Sequence, residues 1–340
     1  MENSAAMRYL ITGTAGFIGS HLAARLLQQG HNVLGIDGMT AYYDVGLKEA
    51  RHTWLAKFEG FRPYRVLLSE LGSIATEIEA FGPEVVLHLA AQPSVRYSIE
   101  NPRAYIDGNI AGSLDLLEMC RRLRPRHLLI ASTSAVYAGG ADVPLAETAA
   151  TDWPLSIYAA SKKSMEILAH SYSHLWDIPT TVLRFFTAYG PWGRPDMALS
   201  RFVENILADR PIDIYNHGKL QRDFTYIDDI VEGTLRLCEQ VPPRQYRQIS
   251  PADTKSRTAP YRIVNVGGGQ PTELLEFIDE IERALGMKAR RNYLELQPGD
   301  VLRTDASTEL LETLTGFRPA TPIAIGIGRF VKWYREYHQV

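Results

Sequence analysis

Six short apolar runs in the first 186 residues constrain the fold more than any other feature of this sequence. The runs are apolar throughout rather than alternating, which is typical of strands that are buried on both faces of a parallel sheet. Amphipathic stretches, such as "HLAARLLQQG" and "GSLDLLEMCRRL", separate the runs and produce a βαβα order. We therefore predict an α/β protein built on a doubly wound parallel sheet. The predicted strands cover 8–12, 32–37, 64–68, 85–91, 127–132 and 180–186.

A glycine-rich turn follows the first predicted strand. The stretch "GTAGFIGSH" places Gly13, Gly16 and Gly19 in a GxxGxxG pattern at the start of a helical stretch. Glycines at these positions allow a tight turn, a close backbone approach to a pyrophosphate, and close packing of helix on strand. Asp37 ends the second predicted strand, where a carboxylate accepts both ribose hydroxyls of an adenosine and repels a 2′-phosphate. The pattern predicts a Rossmann-type domain that binds NAD rather than NADP.

The regular alternation ends near residue 186, after which loops rich in Pro and Gly separate amphipathic helices. We predict that residues 1–186 form the NAD-binding domain and that 187–340 form mainly a smaller C-terminal substrate domain. A segment near 225–266 is expected to return to the first domain. The polar, Pro-rich stretch 240–260 is predicted to be an exposed loop.

The composition argues against several classes of protein. The 340 residues are 45% hydrophobic and 22% charged with a net charge of -3, so no basic excess indicates binding to nucleic acid or a membrane surface. No apolar run approaches the roughly 18 residues of a membrane span. Cys120 and Cys238 lie in apolar helical stretches and are expected to be reduced thiols, which favours a cytoplasmic location. The histidines show no ligand spacing, so we expect no metal.

Tyr158 and Lys162 lie four residues apart in "IYAASKK" and share one face of a predicted helix. A phenol with a pKa of about 10 is a poor base, and a neighbouring ammonium and a positive nicotinamide ring would both lower this pKa. Upstream, "LLIASTSAVY" ends a strand in Ser132, Thr133 and Ser134. An alcohol there would hydrogen-bond a substrate oxygen whose proton Tyr158 removes, as in an alcohol–ketone redox site that uses NAD. Simpler interpretations are an amphipathic surface pair for the helix residues and turn capping for the hydroxyls.

These motifs and several others resemble the extended short-chain dehydrogenase/reductase family, and within it the nucleotide-sugar epimerases. The resemblance covers nearly the whole chain and implies a Thr133–Tyr158–Lys162 catalytic triad, tightly bound NAD and a UDP-sugar substrate. One departure concerns the third strand, where the family has an acidic residue that meets adenine and this chain has Leu68 or Ser69. The motifs that carry the resemblance are "TGTAGFIGSH", "HLAAQPSVRYSIENP", "STSAVY", "YAASK", "GPWGRPDMA", "QRDFTYIDDI", "NVGGGQP" and "QPGDVLRT".

The resemblance also implies which residues bind each ligand. Arg222 and Asp223 match the loop that meets the UDP diphosphate, and Asp300 and Arg303 match a late segment near the nucleotide ribose. The expected cofactor-binding residues are Gly13, Gly16, Phe17, Ile18, Gly19, Asp37, Ala90, Tyr158 and Lys162. The expected substrate-binding residues are Arg96, Ser134, Thr187, Arg194, Arg222, Asp300 and Arg303.

The stretch "GPWGRPDMA", residues 190–198, is similar, together with "DGMTAYYDVGLK", to the UDP-glucuronate 4-epimerase branch of this family. The resemblance implies that Arg194 binds the C6 carboxylate of the sugar through a planar, bidentate contact. Thr187 ends the preceding strand and is expected to donate to the same carboxylate. The simpler interpretation is that Arg194 only holds a Pro-rich loop in place.

The expected reaction is inversion of C4 of UDP-glucuronate to give UDP-galacturonate. Tyr158 would take the 4-OH proton, the C4 hydride would pass to NAD, and the 4-keto sugar would turn over before the hydride returns to its opposite face. This intermediate is a β-keto acid, which loses CO2 when the breaking bond aligns with the carbonyl π system. Arg194 and Thr187 are the candidates for holding the carboxylate out of that alignment.

Several other functions stay open at this point. A UDP-xylose-forming UDP-glucuronate decarboxylase would share the first half of the chain, and a UDP-glucose 4-epimerase would have no use for Arg194. A dTDP-glucose 4,6-dehydratase would carry an Asp-Glu pair after Thr133, where this chain has "SA". A non-catalytic NAD-sensing protein would not need the triad. The resemblance also implies a homodimer through helices near 112–122 and 160–175, whose apolar faces core packing would explain equally well.

Overall fold

Strands and helices alternate along most of the chain. The structure is a computed structural model and describes residues 6–296 and 301–340. Its strands are β1 (Arg8–Thr12), β2 (Asn32–Ile36), β3 (Phe61–Tyr64), β4 (Val85–His88), β5 (His127–Thr133), β6 (Thr180–Phe185), β7 (Thr187–Tyr189), β8 (Ile212–Tyr215), β9 (Gln221–Tyr226), β10 (Tyr261–Val266), β11 (Pro271–Glu273) and β12 (Arg291–Leu294). Its α-helices are α1 (Phe17–Gln28), α2 (Val45–Leu55), α3 (Ala75–Phe81), α4 (Val95–Glu100), α5 (Pro102–Tyr105), α6 (Gly112–Leu123), α7 (Ile157–Trp176), α8 (Ala198–Leu207), α9 (Ile227–Glu239), α10 (Leu274–Leu285), α11 (Glu309–Thr315) and α12 (Ile323–His338). Shorter 3-10 helices cover Leu68–Ile74, Ser134–Tyr137 and Asn216–Gly218, and a π-helix covers Ile106–Ala111.

A seven-stranded parallel sheet forms the centre of the protein, in the order β3-β2-β1-β4-β5-β6-β10. The interior strands β4, β5 and β6 are buried at every residue, in agreement with their apolar sequences. The chain leaves β1 toward one edge of the sheet and later builds the other edge from β4, so the loops after β1 and β4 meet at a switch point. The predicted doubly wound α/β fold is confirmed, and the switch point is where a ligand is expected.

The third predicted strand, 64–68, is wrong. The strand lies earlier, at Phe61–Tyr64, on the edge of the sheet, where Arg62 and Pro63 are exposed. The apolar residues that suggested a strand instead lead into a 3-10 helix, whose Leu68 and Leu71 are buried in the core. An edge strand with an exposed centre lacks the apolar signal of the interior strands, which explains the error.

Helices cover both faces of the central sheet. Ile78 of α3 and Leu117 of α6 belong to the core on one face, and Leu26 of α1, Ile230 of α9 and Leu310 of α11 belong to the core on the other. Each of these side chains is at most 1% exposed, and such burial contributes roughly 1.5–3 kcal/mol per side chain. Within the residues described, no helix is long and apolar enough to cross a membrane.

A smaller unit follows β6. It contains a sheet of β7, β9 and β11 and a pair of β8 and β12, around which α8, α10 and α12 pack. Phe224 of β9 and Phe277 of α10 stack in its core with ring centroids 4.0 Å apart. Two elements leave this unit, because β10 pairs with β6 and α9 packs on α1. The division of the chain into two domains stays a prediction.

The stretch 240–260 contains no helix or strand, but only part of it is an exposed loop. Residues 243–249 are exposed, whereas Asp253 is buried and binds Arg262 of β10 through an ion pair of 2.8 Å. Lys255, also buried, donates to the carbonyl of Ala259 at 2.6 Å. The prediction of full exposure is wrong for this second half, since its polar residues satisfy one another inside the protein.

Candidate active site

A cavity of about 1330 Å³ opens at the switch point between β1 and β4 and extends to residues of the smaller unit. It exceeds the roughly 300–1,000 Å³ of ordinary small-molecule pockets and is large enough for two nucleotide-sized ligands. The predicted site residues that line it are Gly13, Gly16, Phe17, Ile18, Gly19, Asp37, Ala90, Thr133, Ser134, Tyr158, Lys162, Thr187, Arg194, Arg222 and Arg303. Arg96 does not line the cavity, and Asp300 lies outside the described residues.

The glycine-rich turn connects β1 to α1 at the base of the cavity. Gly13 has a φ of +80°, and a Cβ atom on it would lie 2.8 Å from the backbone nitrogen of Ala90. A Cβ atom on Gly19 would overlap the carbonyl oxygen of Gly13, so the first turn of α1 packs directly on the loop. Each position therefore excludes a side chain for steric reasons, and the N-terminus of α1 faces the cavity as an anion site.

Asp37 follows β2 and is only 9% exposed. Its Oδ2 accepts the backbone N–H of Ala15 at 2.9 Å and its Oδ1 that of Met39 at 2.8 Å. These two bonds fix the carboxylate beside the glycine-rich turn. A carboxylate has about four acceptor sites, so both oxygens can accept a further donor from the cavity.

Thr133 and Tyr158 meet across the cavity floor. Tyr158 lies in the first turn of α7, whose N-cap Ser156 accepts the backbone N–H of Ala159 at 3.1 Å. Thr133, at the end of β5, lies beside the Tyr158 hydroxyl. Burial raises the pKa of Tyr158, and Thr133 and the charge of Arg194 act against this increase. The predicted Thr–Tyr pair is therefore assembled.

Lys162 lies one helical turn beyond Tyr158, but its ammonium is directed elsewhere. Its Nζ donates to the carbonyl of Ala131 in β5 at 2.8 Å. Burial lowers the pKa of Lys162 to about 8, against the opposing charge of Glu166. Thr133 and Arg194 are the groups that act against the raised pKa of Tyr158, and the expected effect of Lys162 on this pKa stays a prediction.

The first of the three strand-end hydroxyls has a structural role. Ser132 donates to Glu166 at 2.6 Å, and Glu166 accepts two further hydrogen bonds, at 3.0 and 2.8 Å, from Arg184 of β6. The Glu166 and Arg184 side chains are each 2% exposed. This buried ion pair lies directly behind Lys162 and ties α7 to β5 and β6.

The loop of residues 190–197 is anchored from both parts of the protein. Trp192, at a φ of 62°, stacks on Trp54 of α2 with ring centroids 5.8 Å apart and also contacts Trp333 of α12 at 5.4 Å. Arg51 of α2 is fully buried and donates to the carbonyls of Trp192 and of Ala15 in the glycine-rich turn, both at 2.7 Å. The loop is thus held in place by groups other than Arg194.

Arg194 projects from this loop into the cavity and pairs with Asp196. Its Nε donates to Oδ1 at 2.9 Å and its Nη2 to Oδ2 at 2.6 Å. Tyr42, which also lines the cavity, donates its hydroxyl to Oδ2 of Asp196 at 2.8 Å. Burial disfavours the charged Asp196 carboxylate, but the hydrogen bonds and charge of Arg194 outweigh it and lower its pKa.

Arg222 and Arg303 line the cavity on the side of the smaller unit. Arg222 donates to the carbonyl of Gln221 at 2.9 Å, and Arg303 donates to Asp305 at 2.8 Å. Asp223, in contrast, is buried and accepts the backbone N–H groups of Gly268, Gly269 and Ala306 at 2.8, 2.8 and 2.9 Å. Asp223 therefore holds these backbone groups together, and it is not among the residues that line the cavity.

Comparison with known proteins identifies the family. The model of the NAD dependent epimerase/dehydratase family matches residues 9–248. The chain belongs to this family. A probable UDP-glucuronate 4-epimerase of Rhizobium meliloti (strain 1021) is 53% identical over 98% of each chain, and UDP-glucuronate 4-epimerase 1 of Arabidopsis thaliana is 40% identical over 99% of this chain and 79% of its own. The crystal structure of the Bacillus cereus UDP-glucuronic acid 4-epimerase, in complex with UDP-glucuronic acid and NAD, superposes with a TM-score of 0.84 at 32% identity over 97% of this chain and 100% of that one.

Within this member of the epimerase/dehydratase family, sequence reasoning missed two charged residues of the site. Asp196 lies two positions after Arg194 in the same motif, and this spacing is the signal for a local ion pair. Arg51 occupies a buried helix position, since Leu47 and Leu55 lie four residues before and after it and are also buried. A cation in such an apolar series indicates a buried partner.

Proposed function

We propose that the protein is an NAD-dependent UDP-glucuronate 4-epimerase. The observation that carries the proposal is that Arg194 lines the same cavity as the Thr133–Tyr158 pair and the glycine-rich turn. A planar cationic donor beside a proton-transfer tyrosine suits a sugar that bears a carboxylate next to the reacting carbon. The relatives named for this activity support the same conclusion.

The residues present fit NAD as the resident cofactor. When bound, NAD supplies reversible exchange of a hydride with a sugar carbon. Gly13 and Gly16 would let the pyrophosphate approach closely because they carry no side chains, and the N-terminus of α1 at Phe17 and Ile18 would offer it backbone N–H groups. Asp37 would accept the ribose hydroxyls on the acceptor sites that Ala15 and Met39 leave open. Phe17, Ile18, Gly19 and Ala90 complete this wall.

Tyr158 is proposed as the group that removes the proton from the sugar 4-OH and later returns it. Thr133 lies beside the phenol in the same cavity and would hold the substrate oxygen. Because burial raises the pKa of Tyr158, formation of a phenolate would need nearby positive charge, which the nicotinamide ring of bound NAD would supply. Lys162, fixed on the Ala131 carbonyl, would add its charge to the floor of the site.

Arg194 is proposed to bind the C6 carboxylate, with Thr187 and Ser134 as additional donors on the same cavity. The Trp192 stack and Arg51 already anchor this loop, so Arg194 is not needed to hold it in place, as the simpler interpretation would require. Arg222 and Arg303 are proposed to neutralise the diphosphate of UDP. Arg96 lies 4.9 Å from the ring centre of Tyr215 and outside the cavity lining, and its contact with the substrate stays a prediction.

The function is tested by incubating the purified protein with UDP-glucuronate and analysing the sugar nucleotides by chromatography and mass spectrometry. We expect UDP-galacturonate without release of CO2. Formation of UDP-xylose would indicate a decarboxylase, and conversion of UDP-glucose in place of UDP-glucuronate would indicate a UDP-glucose 4-epimerase. Bound NAD with no conversion of either sugar would indicate an NAD-sensing protein.

We further propose that the protein is a cytoplasmic homodimer. The neighbouring helices α6 and α7 expose Leu114, Ile167 and Leu175 by 39%, 57% and 63%, and such a patch suits an isologous helix interface. Cys120 and Cys238 are buried and free, as expected in a reducing compartment. Light scattering should give the mass of a dimer, and Ile167→Glu should give a monomer; a monomeric wild type would refute the interface.

A further inference from the structure

The ion pair between Arg194 and Asp196 has a specific geometry. Asp196 occupies the side edge of the guanidinium, formed by Nε and Nη2, with both carboxylate oxygens. Tyr42 donates a third hydrogen bond to the same carboxylate from the cavity wall. Arg194 and Tyr42 line the cavity, whereas Asp196 is not among the lining residues. Asp196 therefore contacts both of these cavity-lining side chains without lining the cavity itself.

This arrangement determines which part of Arg194 is available to a ligand. A guanidinium is planar and can bind one carboxylate along its side edge and another along its end edge, formed by Nη1 and Nη2. With the side edge taken by Asp196, the end edge is left for the cavity, and in the described part of the chain Nη1 forms no hydrogen bond. The two hydrogen bonds that Arg194 donates to Asp196 fix the plane of the guanidinium, so they also fix the direction from which a ligand carboxylate is held.

We propose that Asp196 is a positioning residue that fixes the plane of the Arg194 guanidinium and thereby the orientation of the sugar carboxylate, an inference that rests on the proposed 4-epimerase function. Its role is to suppress loss of CO2 from the 4-keto sugar, and its contribution to affinity is unfavourable. Tyr42 is the second positioning residue, because it fixes Asp196.

The chemical reason lies in the 4-keto sugar. Loss of CO2 breaks the C5–C6 bond, whose electron pair forms the C4–C5 double bond of an enolate with its negative charge on the C4 oxygen. C6 departs as CO2 with both carboxylate oxygens, and C5 then takes up a proton. The reaction requires the C5–C6 bond to overlap with the carbonyl π system, and a carboxylate held along a fixed guanidinium edge keeps this bond out of alignment.

The charge of Asp196 produces a distinctive signature. The Asp196 carboxylate offsets the charge of Arg194 and repels the substrate carboxylate that Arg194 attracts. When this negative charge is removed and Arg194 is kept, the KM for UDP-glucuronate should not rise. It should lie between the wild-type value and a value about tenfold lower. Control of orientation should be lost at the same time, and small misplacements of a reacting group change rates by about a hundredfold.

The test compares Asp196→Asn, Tyr42→Phe and wild type for the KM for UDP-glucuronate and for the fraction of turnovers that release CO2. Asp196→Asn removes the charge and keeps the shape, and we expect its CO2 fraction to rise by about tenfold or more with no increase in KM. Tyr42→Phe should shift the CO2 fraction in the same direction by less. Glu204→Gln is the matched control. Glu204 lies on α8, is exposed and pairs with Arg210, so this substitution should leave the KM and the CO2 fraction unchanged.

The outcomes separate the inference from the function on which it rests. A wild-type protein that does not convert UDP-glucuronate would overturn the proposed function. An active wild type with clean epimerisation by Asp196→Asn would overturn the positioning role, as would a raised KM without CO2 release. If Asp196→Asn fails to fold, Tyr42→Phe decides the question, because a CO2 fraction equal to that of wild type would contradict the proposal.

Discussion

Replacing Arg194 by alanine should separate two effects, the binding of the substrate and the control of its 4-keto form. The Arg194 side chain is 21% exposed, so a carboxylate bound to it would be partly desolvated. A charge-assisted hydrogen bond of this kind contributes about 1.5–3 kcal/mol, which corresponds to a KM raised roughly ten- to a hundredfold. The substitution also leaves Asp196 without its counter-charge, and we expect the increase to lie at the upper end of this range.

The products of Arg194→Ala should change as well. Without the guanidinium the sugar ring can adopt conformations in which the C5–C6 bond aligns with the C4 carbonyl π system, so part of the oxidised sugar should lose CO2 and give UDP-4-keto-pentose or UDP-xylose. The departing carbon takes no hydride with it, so reduced cofactor should accumulate when the keto-pentose escapes. Mass spectrometry of the sugar nucleotides, with the cofactor absorbance recorded in parallel, measures both effects.

A matched variant sharpens this experiment. Arg194→Lys keeps the positive charge but lacks the planar fork, so it should recover part of the affinity and still release CO2. A raised KM with no CO2 release in either variant would leave Arg194 as an anchor only. An unchanged KM with clean epimerisation would refute the carboxylate assignment and restore the view of this segment as a stiff loop.

Four further predictions follow from the structure. Tyr158→Phe should lower the turnover rate by about 10²–10⁴-fold while the affinity for UDP-sugar stays close to that of the wild type. A variant that keeps more than about a tenth of the wild-type activity would show that another residue is the base. The purified protein should carry NAD without addition, and denaturation followed by assay of the released nucleotide tests this; NADP, or no nucleotide in an active preparation, would contradict it. Asp37→Arg should weaken NAD binding and admit NADP, as measured by calorimetry, whereas unchanged NAD affinity would remove Asp37 from the ribose site. Arg184→Met should lower the free energy of unfolding by about 3–5 kcal/mol, because Glu166 stays buried without its partner, and adding Glu166→Met should restore most of the loss in denaturant titrations.

The central sheet was predictable because each interior strand is buried on both faces and contains an apolar run, namely 85–87 in β4, 128–131 in β5 and 182–183 in β6. Prediction of strands from apolar runs failed at β3. This strand lies at the edge of the sheet, where Arg62 and Pro63 are exposed to solvent and interrupt the apolar run. Prediction from the sequence failed again after Ser250, where Asp253 and Arg262 hide a packed segment behind a polar sequence. In both places a tertiary partner decides the structure, β2 for the edge strand and Arg262 for the packed segment.

The candidate site shows a similar limit. The glycine positions and the spacing of Tyr158 and Lys162 are readable because steric exclusion and helical periodicity act over a few residues. The spacing shows which face Lys162 occupies, but the direction of its ammonium depends on the Ala131 carbonyl, 31 residues away. Whether the guanidinium of Arg194 is already paired is likewise decided by the folded protein, since Tyr42 reaches Asp196 from 154 residues away.

The anchoring of Trp192 limits how this enzyme can be re-engineered. Its ring lies between Trp54 and Trp333, and its carbonyl accepts from Arg51, which also binds the glycine-rich turn. A transplant of residues 190–197 into a related enzyme with another sugar preference would carry Arg194 but none of these supports. Such a graft should transfer the preference for a carboxylate only when Arg51, Trp54 and the aromatic face of α12 are transplanted with it. Substrate specificity therefore depends on contacts among three segments, the loop 190–197, α2 and α12.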